Sequence, residues 1–217
     1  MKKVAVILAG CGRMDGSEIH ESVLTLLSIN QSNAHYQCFS LDLPQDHVTN
    51  HLTNETALES RNMLIESARI ARGDVKPLEQ LDLADFDALI IPGGNGTAYN
   101  LFTLASAGEN YTVNQLVSEK CRAFSAANKP VGFICIAPVM IPVIYAPTTI
   151  KMTIGNDQNV AALVNSKGAE HHDCAVDEIC VDLEHKVVST PAYMLADNIG
   201  DAYRGISRLV QQVLALA

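Results

Sequence analysis

The 217-residue chain is predicted to be a single α/β domain over residues 1–217, a three-layer sandwich with a mostly parallel sheet and helices on both faces. Three observations carry that prediction. Short Val/Ile/Leu-rich runs end in glycine or proline, as strands buried on both faces do. Segments with helical apolar spacing fall between them, and such alternation argues for parallel strands joined by crossovers. No internal repeat, low-complexity tract or linker interrupts the chain, and its length suits one core.

The elements follow in order. "KKVAVILAG" (Lys2 to Gly10) reads as the first strand, and "GSEIHESVLTLLSIN" as a helix with Ile19, Val23, Leu26 and Leu27 on its apolar stripe. "AHYQCFSLDLP" is a second strand closed by Pro44. The polar "VTNHLTNETALESRN" is expected to be a small insertion or a local cap. "ALESRNMLIESARIAR" reads as a helix ended by Gly73, and "DFDALIIPGGNG" as a third strand running into a glycine loop. A helix from about Asn114 to Ala127 precedes "KPVGFICIA", a fourth strand with another helix behind it. Beyond Pro147 the pattern changes to short strands in "IKMTIGND", "AEHHDCAV", "EICVDLE" and "KVVSTPAY", with a hairpin turn at "HK". A long apolar helix, Met194 to Leu216, closes the chain.

Composition narrows the function classes. The formal net charge is -9, with no Lys/Arg cluster longer than a pair, so neither nucleic acid nor an anionic membrane is an expected partner. No apolar stretch reaches the ~20 residues of a membrane span. The apolar run after Lys2 and Lys3 is broken by Gly10 and Gly12 before it resembles an export signal, so the expected location is the cytoplasm. The six cysteines are scattered without a C-x-x-C pair, which reads as reduced thiols.

In open parallel sheets, ligands bind beyond the carboxyl ends of the strands. Three loops there stand out: "CGRMDGSEIHE", "PGGNGTAYN" and "CIAP". Cys135 sits where a strand must turn abruptly, the position at which a strained elbow presents a nucleophile, and a helix start beneath it would favour the thiolate. A buried inert thiol is the plain alternative. Glu18 and Glu21 share a helix face; they either complement the helix dipole or place a carboxyl beside the thiol. "IIPGGNG" offers backbone N–H groups for an oxyanion, or simply a turn.

His171 and His172 supply a base, whereas "HHDC" lacks a companion motif for zinc. His20, His35, His47, His51 and His185 are assigned surface or helix chemistry only. Gly10, Gly12 and Gly16, with Asp42, resemble a dinucleotide loop, but Glu18 and Glu21 would repel a pyrophosphate there.

With these motifs assembled, the chain resembles the PfpI and Parkinson-disease-protein-like superfamily of the class I glutamine amidotransferase-like fold. Within it, the chain is most similar to the enhancing-lycopene-biosynthesis (glyoxalase) branch. The resemblance runs over essentially the whole length. It is carried by "DGSEIHES", "ALIIPGG", "GFICIAP", "MTIGND", "GAEHHDCAVDEI" and "STPAYMLADNI". A G-x-E-x-x-E pattern falls on Gly16, Glu18 and Glu21, and a C-x-[GA]-P pattern on Cys135, Ala137 and Pro138.

The resemblance implies a flavodoxin-like sheet and a catalytic set of Cys135 as nucleophile, Glu21 as the acid bonded to it, and His171 near the thiol. It further implies an oxyanion hole from the backbone of Gly93, Gly94 and Ile136. Glu18 and Asn95 are candidate pocket residues, although Asn95 and Tyr99 differ from the glycine-loop residues usual in that branch. The implied activity is a glyoxalase that turns a small dicarbonyl such as glyoxal into glycolate without cofactor or metal, with an indirect link to isoprenoid supply. Whether His171 or Glu21 is the base stays open. Ile136 replaces the histidine that follows the cysteine in PfpI-type peptidases, which argues against peptidase activity. The glutaminase His and Glu beside the C-terminal strands have no counterpart in "STPAYMLAD". A homodimer is expected. The rival class is a non-catalytic redox sensor that uses the same thiol.

Overall fold

The structure, a computed structural model, describes residues 1–217 throughout. Its strands are β1 (Lys3–Leu8), β2 (His35–Ser40), β3 (Val48–Asn50), β4 (Glu55–Ala57), β5 (Val75–Pro77), β6 (Ala88–Ile91), β7 (Val131–Ile134), β8 (Lys151–Met152), β9 (Glu170–His171), β10 (Cys180–Asp182) and β11 (Val187–Thr190). The helices are α1 (Ile19–Gln31), α2 (Met63–Ile70), α3 (Thr97–Asn100), α4 (Leu104–Ala107), α5 (Gln115–Ala126), α6 (Ile141–Tyr145), α7 (Gln158–Ser166) and α8 (Ile199–Leu216).

Seven strands form one sheet in the order β10-β11-β7-β6-β1-β2-β5, all parallel except β10, which pairs antiparallel with β11. This is the mostly parallel, flavodoxin-like sandwich that the sequence predicts. From β1 the chain winds outward to β2 and β5, then crosses back to β6, β7 and β11. The switch point therefore lies between β1 and β6, where such sheets open a crevice at their carboxyl ends.

Alternation along β1 divides the core in two. Ala5 and Ile7 face one side, Val4, Val6 and Leu8 the other. The first side is closed by α5 and α6 through Val117, Cys121, Phe124, Ile141 and Ile144. The second is closed by α1 and α8 through Leu24, Leu26, Ile29, Ile206, Leu209, Val210 and Val213. Each fully buried Leu or Ile contributes about 1.5–3 kcal/mol.

Several elements depart from expectation. Of the α1 stripe, Leu26 is buried, but Ile19, Val23 and Leu27 stand close to half exposed. The helix instead buries Ser22, Thr25 and Ser28, each hydroxyl donating to a carbonyl one turn back at 2.7 Å. These small, internally satisfied side chains let α1 pack closely, and their phase wins over the larger aliphatic set.

The polar segment forms the β3–β4 hairpin and delays the start of α2 to Met63, with Asn62 as its cap. Edge strand β5 and helix α7 were not anticipated. The helix joins β8 and β9, a short parallel pair outside the main sheet. The helix expected at Met194 starts at Ile199, after a 3-10 turn at Ala192–Met194. No helix is long and apolar enough to cross a membrane.

Candidate active site

The three loops converge on a cavity of about 650 Å³ lined by Cys135 and Ile136, by Gly94 and Asn95, and by Arg13, Glu18 and His20. The hairpin adds His51, and the segment after β11 adds Tyr193 and Met194.

Cys135 follows β7 directly and has φ 63, in the left-handed region that a non-glycine residue enters at a cost of about 1–3 kcal/mol. Its N–H donates to the carbonyl of Thr190 at 3.0 Å, which ties the turn to β11. The residue is 7% exposed, and its thiol faces the cavity. The helix expected behind it is a 3-10 turn, Ala137–Met140, running into the five-residue α6, with Pro138 and Pro142 in the path. So short a helix has little dipole, and stabilisation of the thiolate falls to individual N–H groups. Two are in place: the backbone N–H groups of Gly94 and Ile136 both donate to the Cys135 sulfur.

Gly93, expected as a third oxyanion donor, is committed elsewhere. Its N–H donates to Glu21 Oε2 at 3.0 Å. Its glycine identity has a different reason: a Cβ there would lie 2.6 Å from Cys135 Cβ and 2.9 Å from Glu21 Oε2. At Gly94, φ +113 and the nearness of the Glu18 and Gly16 backbones exclude a side chain as well.

Glu21 is fully buried. Its carboxyl is hydrogen-bonded to Cys135, and Oε1 accepts from Tyr193 N–H at 3.3 Å. Burial pushes its pKa from 4.5 to about 7, with the neighbouring Glu18 adding to the rise, against hydrogen bonds from Cys135, Tyr193 and Gly93. Cys135 is pushed above its ordinary value by burial first and by the Glu21 charge second. Two anions in contact in a dry site are disfavoured, so the pair keeps at least one proton through neutral pH. Glu18 caps α1, its Oε2 accepting from Glu21 N–H at 2.7 Å, while its own N–H donates to Gly93 at 2.9 Å. It thereby holds the glycine loop against the helix start. Asn95 is exposed at the rim.

His171 does not join this group. Its ring is buried outside the cavity: Nε2 accepts from Ile154 N–H at 3.3 Å, and Nδ1 lies 3.6 Å from Asp173. Burial lowers its pKa. The histidines that do line the cavity are His20 and His51, both assigned only surface or helix chemistry from the sequence. His20 reaches it because it lies at the exposed start of α1, and His51 because the hairpin folds over the first loop. His51 has both nitrogens engaged, with Thr49 O at 3.0 Å and Met14 N at 3.1 Å. His172, Asp173 and Cys174 line a separate cavity of about 550 Å³, and nowhere do three or more His, Cys, Asp or Glu side chains gather to hold a metal ion.

The chain is 40% identical over 224 residues to the mitochondrial ES1 protein homolog of Rattus norvegicus, an alignment covering 99% of this chain and 84% of that protein. It is 39% identical to the human mitochondrial glutamine amidotransferase-like class 1 domain-containing protein 3, covering 99% and 83%. The crystal structure of an isoprenoid biosynthesis protein with an amidotransferase-like domain from Ehrlichia chaffeensis superposes with a TM-score of 0.93 at 36% identity, over 100% of this chain and 99% of that one. Glyoxalase III of Candida albicans shares the fold, with a TM-score of 0.65 at 13% identity over 99% and 97% of the two chains. No family model matches the chain. The rat, human and zebrafish relatives are all described as mitochondrial, which overturns the cytoplasmic expectation. The chain belongs to the ES1 family of class I glutamine amidotransferase-like proteins.

Proposed function

We propose that this protein is a cofactor-independent glyoxalase converting a small dicarbonyl, with glyoxal the simplest case, into a hydroxy acid. The observation that supports this reading most is the contact of Cys135, on its strained turn, with a buried carboxyl whose pKa lies near 7, beside two N–H groups aimed at the sulfur. Glu21 takes up the shared proton as the sulfur attacks, so the sulfur reacts as thiolate. The sulfur adds to one aldehyde carbon, and the N–H groups of Gly94 and Ile136 hold the resulting oxyanion. Glu21 gives that proton to the oxyanion, forming the hemithioacetal; its freed carboxylate then removes the hydrogen on that carbon, the electron pair forms the C1–C2 double bond, and the second carbonyl oxygen takes up a proton. Glu21 returns its proton to C2, the C1 hydroxyl loses its own, and a thioester results. Water then cleaves the thioester, releasing glycolate and the free thiol.

Glu21, rather than His171, is the base in this scheme, because it touches the sulfur and His171 lies outside the cavity. Any link to isoprenoid supply, as the name of the Ehrlichia protein suggests, is indirect: Arg13 is the sole Lys or Arg on the cavity wall, too little for a pyrophosphate. We also propose a homodimer, supported by the exposed aliphatic row of Ile19, Val23 and Leu27. Turnover in D2O followed by NMR tests the chemistry. Deuterium at C2 of glycolate is expected from exchange on Glu21; fully protonated product would point to a direct hydride shift instead.

A further inference from the structure

Two non-glycine residues in the left-handed region end neighbouring parallel strands. One is Cys135 after β7; the other is Ala192 after β11, with φ 44 and no exposure to solvent. The remaining five, Asn33, Asn54, Arg72, Asn128 and Lys186, are Asn, Lys or Arg. Asn tolerates this region through its own short polar side chain; a buried alanine has no such relief. Strain of this kind persists where surrounding structure imposes it, and it gathers at functional sites. The second turn aims Tyr193. Its backbone N–H supports Glu21 Oε1 at 3.3 Å, and its phenol enters the Cys135 cavity and meets His20 Nδ1 at 2.8 Å.

We propose that Tyr193 and His20 form the acid–base pair that serves the second carbonyl of the substrate, with Tyr193 as the group that touches it. The proposal rests on the reading of Cys135 as the nucleophile. With C1 bonded to sulfur and its oxygen held by Gly94 and Ile136, the C2 oxygen must take up a proton as the enediol forms. Glu21 cannot deliver it while receiving the C1 hydrogen. Tyr193 O–H donates to the C2 oxygen, His20 Nδ1–H replaces that proton, and the exposed imidazole recovers its own from solvent. The balance closes: the C1 hydrogen reaches C2 through Glu21, and the C1 hydroxyl proton lost to solvent equals the one gained at the C2 oxygen. His20 suits the role where His51 does not, because both His51 nitrogens face main-chain atoms. Burial, with Glu18 and Glu21 nearby, raises the Tyr193 pKa, so the phenol holds its proton at neutral pH.

Two readouts test this on the intact protein, wild type against Tyr193→Phe and His20→Gln. The first is glyoxal turnover. The second needs no turnover: protection of Cys135 from iodoacetamide by glycolohydroxamate, a planar mimic of the enediolate, with each variant normalised to its own rate without the mimic. Tyr193→Phe is expected to lower kcat with little change in KM, and to weaken protection about tenfold or more, the loss of one hydrogen bond to a charged group. His20→Gln is expected to lose less in both readouts. Protection within twofold of wild type in Tyr193→Phe overturns the proposal, whatever turnover does. A wild type that is inert to glyoxal yet protected in a Tyr193-dependent way overturns the glyoxalase reading alone; absent protection in wild type overturns both.

Discussion

The buried Glu21 carboxyl makes a quantitative demand on stability. Its pKa rises from 4.5 to about 7 on folding, chiefly through burial. A group whose folded pKa is raised contributes stability that is fully present below the unfolded value and is lost as pH rises through the folded one. The window therefore runs from about pH 4.5 to 7. A displacement from 4.5 to about 7, at about 1.36 kcal/mol per pKa unit, corresponds to about 3 kcal/mol of stability lost across it. Domains of this kind are stable by only about 5–15 kcal/mol, so the loss is large enough to measure. Urea unfolding of wild type and Glu21→Gln at half-unit pH intervals from 4 to 8 reads it. Any contribution from other groups is common to both proteins. The difference between the curves isolates Glu21: Gln should gain on wild type by about 3 kcal/mol as pH rises. Parallel curves would mean that Glu21 is ionised at its ordinary pKa, and the shared proton with Cys135 would be lost as an explanation. Cys135→Ser should retain the slope, because burial rather than the thiol is its main cause.

Gly93→Ala places a methyl 2.6 Å from Cys135 Cβ, so the turn must shift; we expect iodoacetamide labelling of Cys135 to change severalfold and stability to fall by about 1–3 kcal/mol, and an unchanged rate would refute the close-packing argument. Competition labelling at pH 8 should mark Cys135 before the more exposed Cys11 and Cys174; the reverse order would show that the site carries no thiolate. Light scattering should give a dimer that Val23→Asp dissociates, and a wild-type monomer at micromolar concentration would remove the proposed role of the exposed α1 row.

The elbow was legible because its cause is local: a buried strand cannot continue through Cys-Ile-Ala-Pro, and the residue at the break must point outward. Glu21 and Gly94 were legible through their motifs. The role of Gly93 was not, since its N–H is committed by a carboxyl 72 positions away in the chain. The histidines were misplaced for a similar reason. His171 is the last residue of β9, a strand that lies outside the main sheet, so its distance from the thiol could not be inferred from strand order. His20 has an exposed position on α1 that helical periodicity alone marks as surface. The α1 stripe failed because two apolar phases compete there, and hydroxyls that bond their own helix decide which one packs. Edge strand β5, three residues ending in proline, carries too little pattern to be read at all.

The most direct measurement is glycolate formation from glyoxal by purified protein in the absence of glutathione and added metal, wild type beside Cys135→Ala. Steady turnover by wild type, with none above background in the variant, is the expected result. Equal rates in the two proteins, or oxidation of Cys135 with no turnover, would contradict a thiol-dependent glyoxalase; oxidation alone would leave Cys135 as a redox-sensing thiol.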